Sequence, residues 1–457
     1  MERYIGQLTV LLGTPLGVGL VAFGAVLLLV MNQALWVRWV LVALILFTGS
    51  LYKPSEDSQV WMAVERIPLI APLEQIQTLG RPITIVLLAI GATVAAFGSG
   101  RVRWAVPQWA YALLAVQGVL VVKMLVSGMF AYALFATLVY ILTFVVFGYG
   151  AGRWAARPAD VLWAIRGIGL GVALFVIANL AQITVDPTPL VAGGRFQGTT
   201  GNPQSAAMLM GPAIATLAYL ATARTIPGWE RVGWGLALLG TLSMLIWTSS
   251  RSGALMATFS LVILFRRRLN QFVVLAGPVA IGLAIVLSEF GEMLRTDELT
   301  RTDDTRSAVW YGLWVQFVNH PVVGAPQDAG YGRLGFAENS WLSMAAVCGL
   351  FGLVPMAIFG WLAGREVVAL LRMGGTASRH GDVADLMAAS LAAVFIGSLF
   401  EPSLLGVINF MVPFMTICLV LSTHLRAVQG SPTSTGRIAG PGRQFPGLTP
   451  TGRVFRS

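Results

Sequence analysis

Three short segments carry the side chains best suited to chemistry: Arg195-Phe-Gln-Gly-Thr-Thr-Gly-Asn-Pro203, Ser250-Arg251-Ser252-Gly253 and Glu338-Asn339-Ser340. A guanidinium stays charged, and its planar fork matches two phosphate oxygens at once. Arg251 sits between two apolar runs with almost no loop, so its charge must lie at or just below a membrane surface. An ionisable group there is costly and marks a functional site by default, although an arginine snorkelling to lipid headgroups would occupy the same place. Around Arg195, Gly198, Gly201 and Asn202-Pro203 precede the next apolar run, so amides at that helix start can join an anion site. A plain turn with a solvated arginine is the alternative.

Glu338 stands at the entrance of a long apolar run beginning Trp341-Leu342. Partial burial would raise its pKa enough to accept a proton from a hydroxyl; a carboxylate placed at a helix start for its dipole has the same signature. Arg306 precedes Trp310 by one helical turn and shares an edge with an aromatic face. Asp303-Asp304 lacks a spaced third ligand for a metal, Glu401-Pro402 is a weaker second carboxylate candidate, and His320 reads as a helix terminator before Pro321.

These residues need a scaffold, and composition says which. The chain of 457 residues is 56% hydrophobic and 11% charged, with mean hydropathy +0.76. A soluble domain carries about 25% charged residues, so an all-α polytopic membrane protein follows. Spanning helices need about 20 apolar residues, and windows of that kind fall at 10–31, 35–52, 83–99, 107–127, 129–150, 167–184, 205–223, 233–249, 252–265, 271–289, 340–363, 384–400 and 404–423. Twelve or thirteen spans are expected. The first is expected to be retained as an anchor, because no small-residue cleavage site follows a short apolar core.

Arginines at 101 and 103, at 153, 157 and 166, at 224 and 231, at 266–268, and at 365, 372 and 379 fall in alternate connections. The positive-inside rule makes that side cytoplasmic, which leaves Arg195, Arg251 and a large loop at 290–339 outside. The rule also accounts for most of the +10 net charge; no basic cluster is interleaved with aromatics, which argues against nucleic acid. In that loop, Val309, Trp310, Leu313, Trp314, Phe317 and Val318 recur on one helical face over Thr305–His320, too short to span. A membrane domain over 1–429 is therefore followed by a basic cytoplasmic tail, 430–457, rich in Gly, Pro, Ser and Thr and expected to be disordered. Cys348 and Cys418, within apolar runs, read as packing residues.

Taken in order, the Arg195–Pro203 segment, Ser250–Gly253, Arg306-Ser-Ala-Val-Trp310, Asn319-His-Pro-Val-Val-Gly324, Glu338-Asn-Ser-Trp-Leu342 and Gly349-Leu-Phe-Gly352 resemble the O-antigen ligase and O-antigen polymerase (Wzy-type) family of membrane glycosyltransferases. The resemblance covers about 195–355. It implies a GT-C-like helical fold in the bacterial inner membrane, with a metal-independent, cofactor-free site facing the periplasm. It further implies an undecaprenyl-diphosphate-linked glycan as donor, an acceptor glycan, and a chain-length regulator protein as a further partner. On this chain Arg195, Arg251 and Arg306 would bind the diphosphate and Glu338 would be the catalytic base. The family commonly has His-Asn where this chain has Glu338-Asn339, which favours polymerisation of O-antigen, exopolysaccharide or capsule repeats over ligation to lipid A core.

Two other classes compete. A transporter or lipid-linked glycan flippase would show mid-membrane charges and broken helices in related halves; Lys123 lies in an apolar run, but no two halves are visible. An intramembrane protease, prompted by Ser252-Gly253, lacks a histidine at matching depth.

Overall fold

The computed structural model describes residues 34–51, 68–97, 105–155, 158–192, 194–268, 305–327, 334–374 and 379–430, with isolated positions before residue 34. The protein is an all-α polytopic membrane protein. Its described helices are α1 (Leu35–Ser50), α2 (Ala71–Phe97), α3 (Gln108–Val126), α4 (Phe130–Trp154, π-helical at Phe144–Gly150), α5 (Pro158–Val185), α6 (Pro203–Thr222), α7 (Gly228–Trp247), α8 (Arg251–Phe265), α9 (Thr305–Asn319), α10 (Ser340–Met373), α11 (Arg379–Ser398) and α12 (Met411–Gly430). Seven, namely α2 to α6, α10 and α11, contain segments long and apolar enough to cross a membrane. The windows 10–31 and 271–289, Arg295, Arg301, Asp303, Asp304 and the tail beyond 430 lie outside the described residues.

The helices run up and down between two distinguishable ends, with some neighbours antiparallel and others, such as α6 and α8, parallel. At one end, Gln182 of α5 accepts from the backbone N–H of Ile70, just before α2 (2.8 Å), and Ser340 at the start of α10 donates to the carbonyl of Glu401, just after α11 (2.7 Å). At the other end, Arg166 of α5 pairs with Glu230 of α7, and Arg266 after α8 pairs with Asp385 of α11, each at 2.7 Å. The Arg195, Arg251 and Glu338 segments all belong to the first end, called here the site end. Cys348 and Cys418 are buried and unbridged.

Besides the π-helical stretch of α4, two of the expected spans among the described residues are interrupted. The run at 340–363 breaks at Gly349 (φ 62°, ψ −156°). A Cβ on Gly360 would collide with the Trp341 ring, although residues 341 and 360 would stand about 28 Å apart along a straight helix. The arm Ser340–Cys348 therefore folds back along the rest of α10. The loop after α9 fills the break: Leu350 N–H donates to Pro321 O (2.7 Å), Phe351 N–H to Val322 O (3.1 Å) and Ala325 N–H to Ala346 O (2.8 Å). Irregular backbone survives inside a membrane protein where other protein groups satisfy it. Lys123 Nζ, from the site end of α3, donates to Val323 O on the outer side of this plug (3.0 Å).

The run at 404–423 is also interrupted. Only 401–403 separate the apolar runs 384–400 and 404–423, yet the chain stays irregular until α12 starts at Met411. Asn409 organises it, donating to Ser403 O (3.0 Å) and Gly406 O (3.2 Å) while capping Val412 N–H (2.9 Å). The aromatic face expected on α9 divides in two. Leu313 is buried and Trp310 packs 6.3 Å from Phe400, while Trp314 and Val318 are exposed.

Candidate functional site

Arg195 begins a two-residue strand, β2 (Arg195–Phe196), paired antiparallel with β1 (Val191–Ala192). The loop that follows is held from beneath by amide side chains of the spans. Asn179 Oδ1 accepts Thr199 N–H (2.9 Å), and Gln77 Nε2 donates to Thr199 O (2.9 Å). Gly198 adopts φ +56°, and a Cβ there would come within 2.9 Å of Asn179 Oδ1, so only glycine allows the loop to sit this close. Phe196 is fully buried, its ring 5.4 Å from Trp247 at the end of α7. These contacts fix the base of Arg195, and its Nε donates to Thr248 O at 2.9 Å.

Thr248 belongs to the turn that delivers Arg251. Ser249 takes φ 50°, Ser250 caps the helix by accepting Gly253 N–H (3.3 Å), and its hydroxyl lies 3.1 Å from that of Ser252. Arg251 is the first residue of α8 and half-buried. Gly253 packs on Ala207, a Cβ at 253 lying 2.7 Å from the Ala207 methyl, so the N-termini of α8 and α6 lie side by side. The α6 terminus is capped by Asn202, which accepts from Gln204 N–H at 2.7 Å.

From α8 the site continues to α11. Gly397 of α11 packs on Met256 of α8, and Glu401 N–H closes the next turn onto Gly397 O (3.0 Å). Glu401 is 8% exposed. Its carbonyl receives the Ser340 hydroxyl, which also accepts Leu404 N–H (3.3 Å), so the short arm of α10 is anchored here. Asn339 caps that arm, accepting from Trp341 N–H (2.9 Å) and Leu342 N–H (3.0 Å) from a backbone at φ 82°. Glu338 precedes it, half-buried, with Oε2 enclosed.

Arg195 and Arg251 share one hydrogen-bonded turn, and Glu338 sits at the foot of the folded-back arm whose next turn binds the Glu401 backbone. Arg306 lies in the first turn of α9, which reaches this end through Trp310 and Phe400; its side chain and Arg333 lie outside the described residues. The N-termini of α6, α8 and α10 all open on this end, adding partial positive charge to the arginines. Such a surface suits a multiply charged anion. Among the described residues no three His, Cys, Asp or Glu side chains gather as a metal site would require.

Sequence reasoning missed the supporting amides. Asn179 and Gln182 are buried polar residues three apart in an otherwise apolar run, so they share one helical face, Asn179 binding the Arg195 loop and Gln182 the chain just before α2. That spacing was the available signal. The chain matches no family model and no curated protein.

Proposed function

We propose that this protein is a membrane glycosyltransferase that polymerises undecaprenyl-diphosphate-linked oligosaccharide repeat units at the periplasmic face of the bacterial inner membrane. The observation that carries the reading is the Arg195 Nε to Thr248 O bond, which ties two arginine-bearing segments into one turn beside adjoining helix N-termini. In this scheme a hydroxyl oxygen of the acceptor glycan attacks the anomeric carbon of the lipid-linked chain. The bond from that carbon to the diphosphate oxygen breaks, and the hydroxyl proton passes to the Glu338 carboxylate. Undecaprenyl diphosphate leaves with its electron pair, and its developing charge is met by Arg195 and Arg251, with Arg306 as a third cation. Fixed cations at the leaving group lower the barrier because they need no reorganisation as charge appears.

The test is reconstitution of the full chain in proteoliposomes with the lipid-linked repeat units of the producing cell. Wild-type protein should yield a ladder of polymer, and Arg251→Ala none at equal insertion. A full ladder from Arg251→Ala overturns the reading. One observation favours a second reading, a lipid-linked glycan transporter: α10 is broken at Gly349, as in transporter helices that line substrate paths. That reading expects repeat units to cross the bilayer with no polymer formed. Transfer to lipid A core in the same assay would instead identify a ligase.

A further inference from the structure

The end of the bundle opposite the candidate site holds a second charged pocket, of about 310 Å³, where α6 and α8 finish and α11 begins. Arg224, Arg267 and Arg268 line it with Asp382, Asp385, Thr222 and Thr225. Asp385 is 2% exposed, and its two oxygens are occupied: Arg266 NH2 lies 2.7 Å from Oδ1 and Arg267 NH2 2.6 Å from Oδ2. The back wall is closed by the end of α10, since a Cβ on Gly374 would collide with Asp385 and Arg266. Asp385 is thus consumed in aligning two arginines, and Asp382 is 3.6 Å from Arg267. Arg224, Arg267 and Arg268 in the lining, with Arg266 bonded to Asp385 from behind it, outnumber the two carboxylates, so the cluster keeps an excess of two positive charges. Leu264 and Phe265 form its apolar side, with the Arg268 guanidinium 5.8 Å from the Phe265 ring.

A cationic cup with an apolar flank, at the level where apolar helices end, matches a phosphate ester attached to an acyl chain. We propose that this pocket binds the phosphate headgroup of an acidic membrane phospholipid. The apolar flank favours the lipid over a free phosphate compound, and basic pockets between spanning helices are suited to such headgroups. The aligned arginine pair forms the floor, while Arg224 and Arg268 supply the rim charges that recognise the anion.

The test uses the full-length protein in nanodiscs containing equal phosphatidylglycerol and phosphatidylcholine, with retained lipid quantified by native mass spectrometry. Wild type should retain phosphatidylglycerol preferentially. Because one arginine near an anionic surface is worth about fivefold, Arg224→Ala with Arg268→Ala should weaken that preference about twenty-five-fold. The control pair Arg365→Ala with Arg372→Ala, at the same end but outside the pocket, should leave it unchanged; equal loss in both pairs means diffuse surface charge and overturns the proposal. Melting of each variant in phosphatidylcholine alone identifies any loss that reflects misfolding. Inorganic phosphate that raises the wild-type melting temperature, but not that of the rim variant, supports the site and assigns it to soluble phosphate compounds. Equal retention of both lipids by wild type, with no response to phosphate, overturns it.

Discussion

Arg195 Nε donates to the carbonyl of Thr248 at 2.9 Å, three positions ahead of Arg251. The side edge of one guanidinium is spent on holding the turn that carries the other. Arg195 therefore has two separable duties, charge and architecture, and a lysine would keep only the first, since its point charge lacks the planar fork.

Arg195→Lys should accordingly lose nearly as much polymer formation as Arg195→Ala. A hydrogen bond from a charged donor is worth about 1.5–3 kcal/mol, or roughly ten- to hundredfold in rate. Initial rates of ladder growth at matched protein levels check this. Near-wild-type rates from Arg195→Lys would reduce the residue to a simple positive charge.

Glu338→Gln preserves shape and removes the proton acceptor. Loss of a general base costs about 10²- to 10⁴-fold, so polymerisation should fall by at least two orders of magnitude while insertion and melting stay unchanged. Glu338→His should restore part of the rate, with activity lost below the imidazole pKa near 6.5, because only neutral imidazole accepts the proton. Full activity of Glu338→Gln would leave the carboxylate as a helix-start residue and the diphosphate site standing.

The apolar helices and the place of Arg251 at a helix start were legible in the sequence because both follow from the order of apolar runs, although of the twelve or thirteen expected spans seven are long and apolar enough to cross a membrane among the described residues. The break in α10 was not. Residues 340–363 read as one continuous apolar run, and the partners that satisfy the opened backbone, Pro321, Val322 and Ala325, come from a loop that periodicity cannot place. The delayed start of α12 was hidden for the same reason, since 404–423 stays apolar whether helical or not, and Asn409 alone signals the change. Of the site, the charged residues could be read from their types, but the pairing of Arg195 with Thr248 depends on a carbonyl, which every residue possesses.

Gly349→Ala tests the break. A Cβ at φ 62° is strained, and here it would also collide with Val322 O and lie 2.7 Å from Gly324 N. Left-handed strain and overpacking together should cost about 3 kcal/mol or more. The expected result is a lower melting temperature in detergent and faster proteolysis around 321–325, as the loop leaves the gap. Unchanged melting would mean that the arm of α10 can straighten without penalty.

Asn339 joins the last two features, strain and chemistry. Its backbone at φ 82° and ψ 109° is one that side chains other than glycine rarely adopt, while its carbonyl Oδ1 caps the arm through Trp341 and Leu342. The cap is worth about 1 kcal/mol when replaced by alanine and only a few tenths when replaced by glycine, and glycine also relieves the strain. Asn339→Gly should therefore melt at or near the wild-type temperature, whereas Asn339→Ala should lose about 2–3 kcal/mol as cap and strain penalties combine. Under the proposed function, the rate of polymerisation separates the structural role of Asn339 from a role in orienting Glu338. If the fixed turn orients the carboxylate, Asn339→Gly will be stable yet slow, by roughly tenfold or more, since looser geometry at a reacting group is costly. A glycine variant as fast as wild type would show that Glu338 is positioned from its own contacts, without help from the cap.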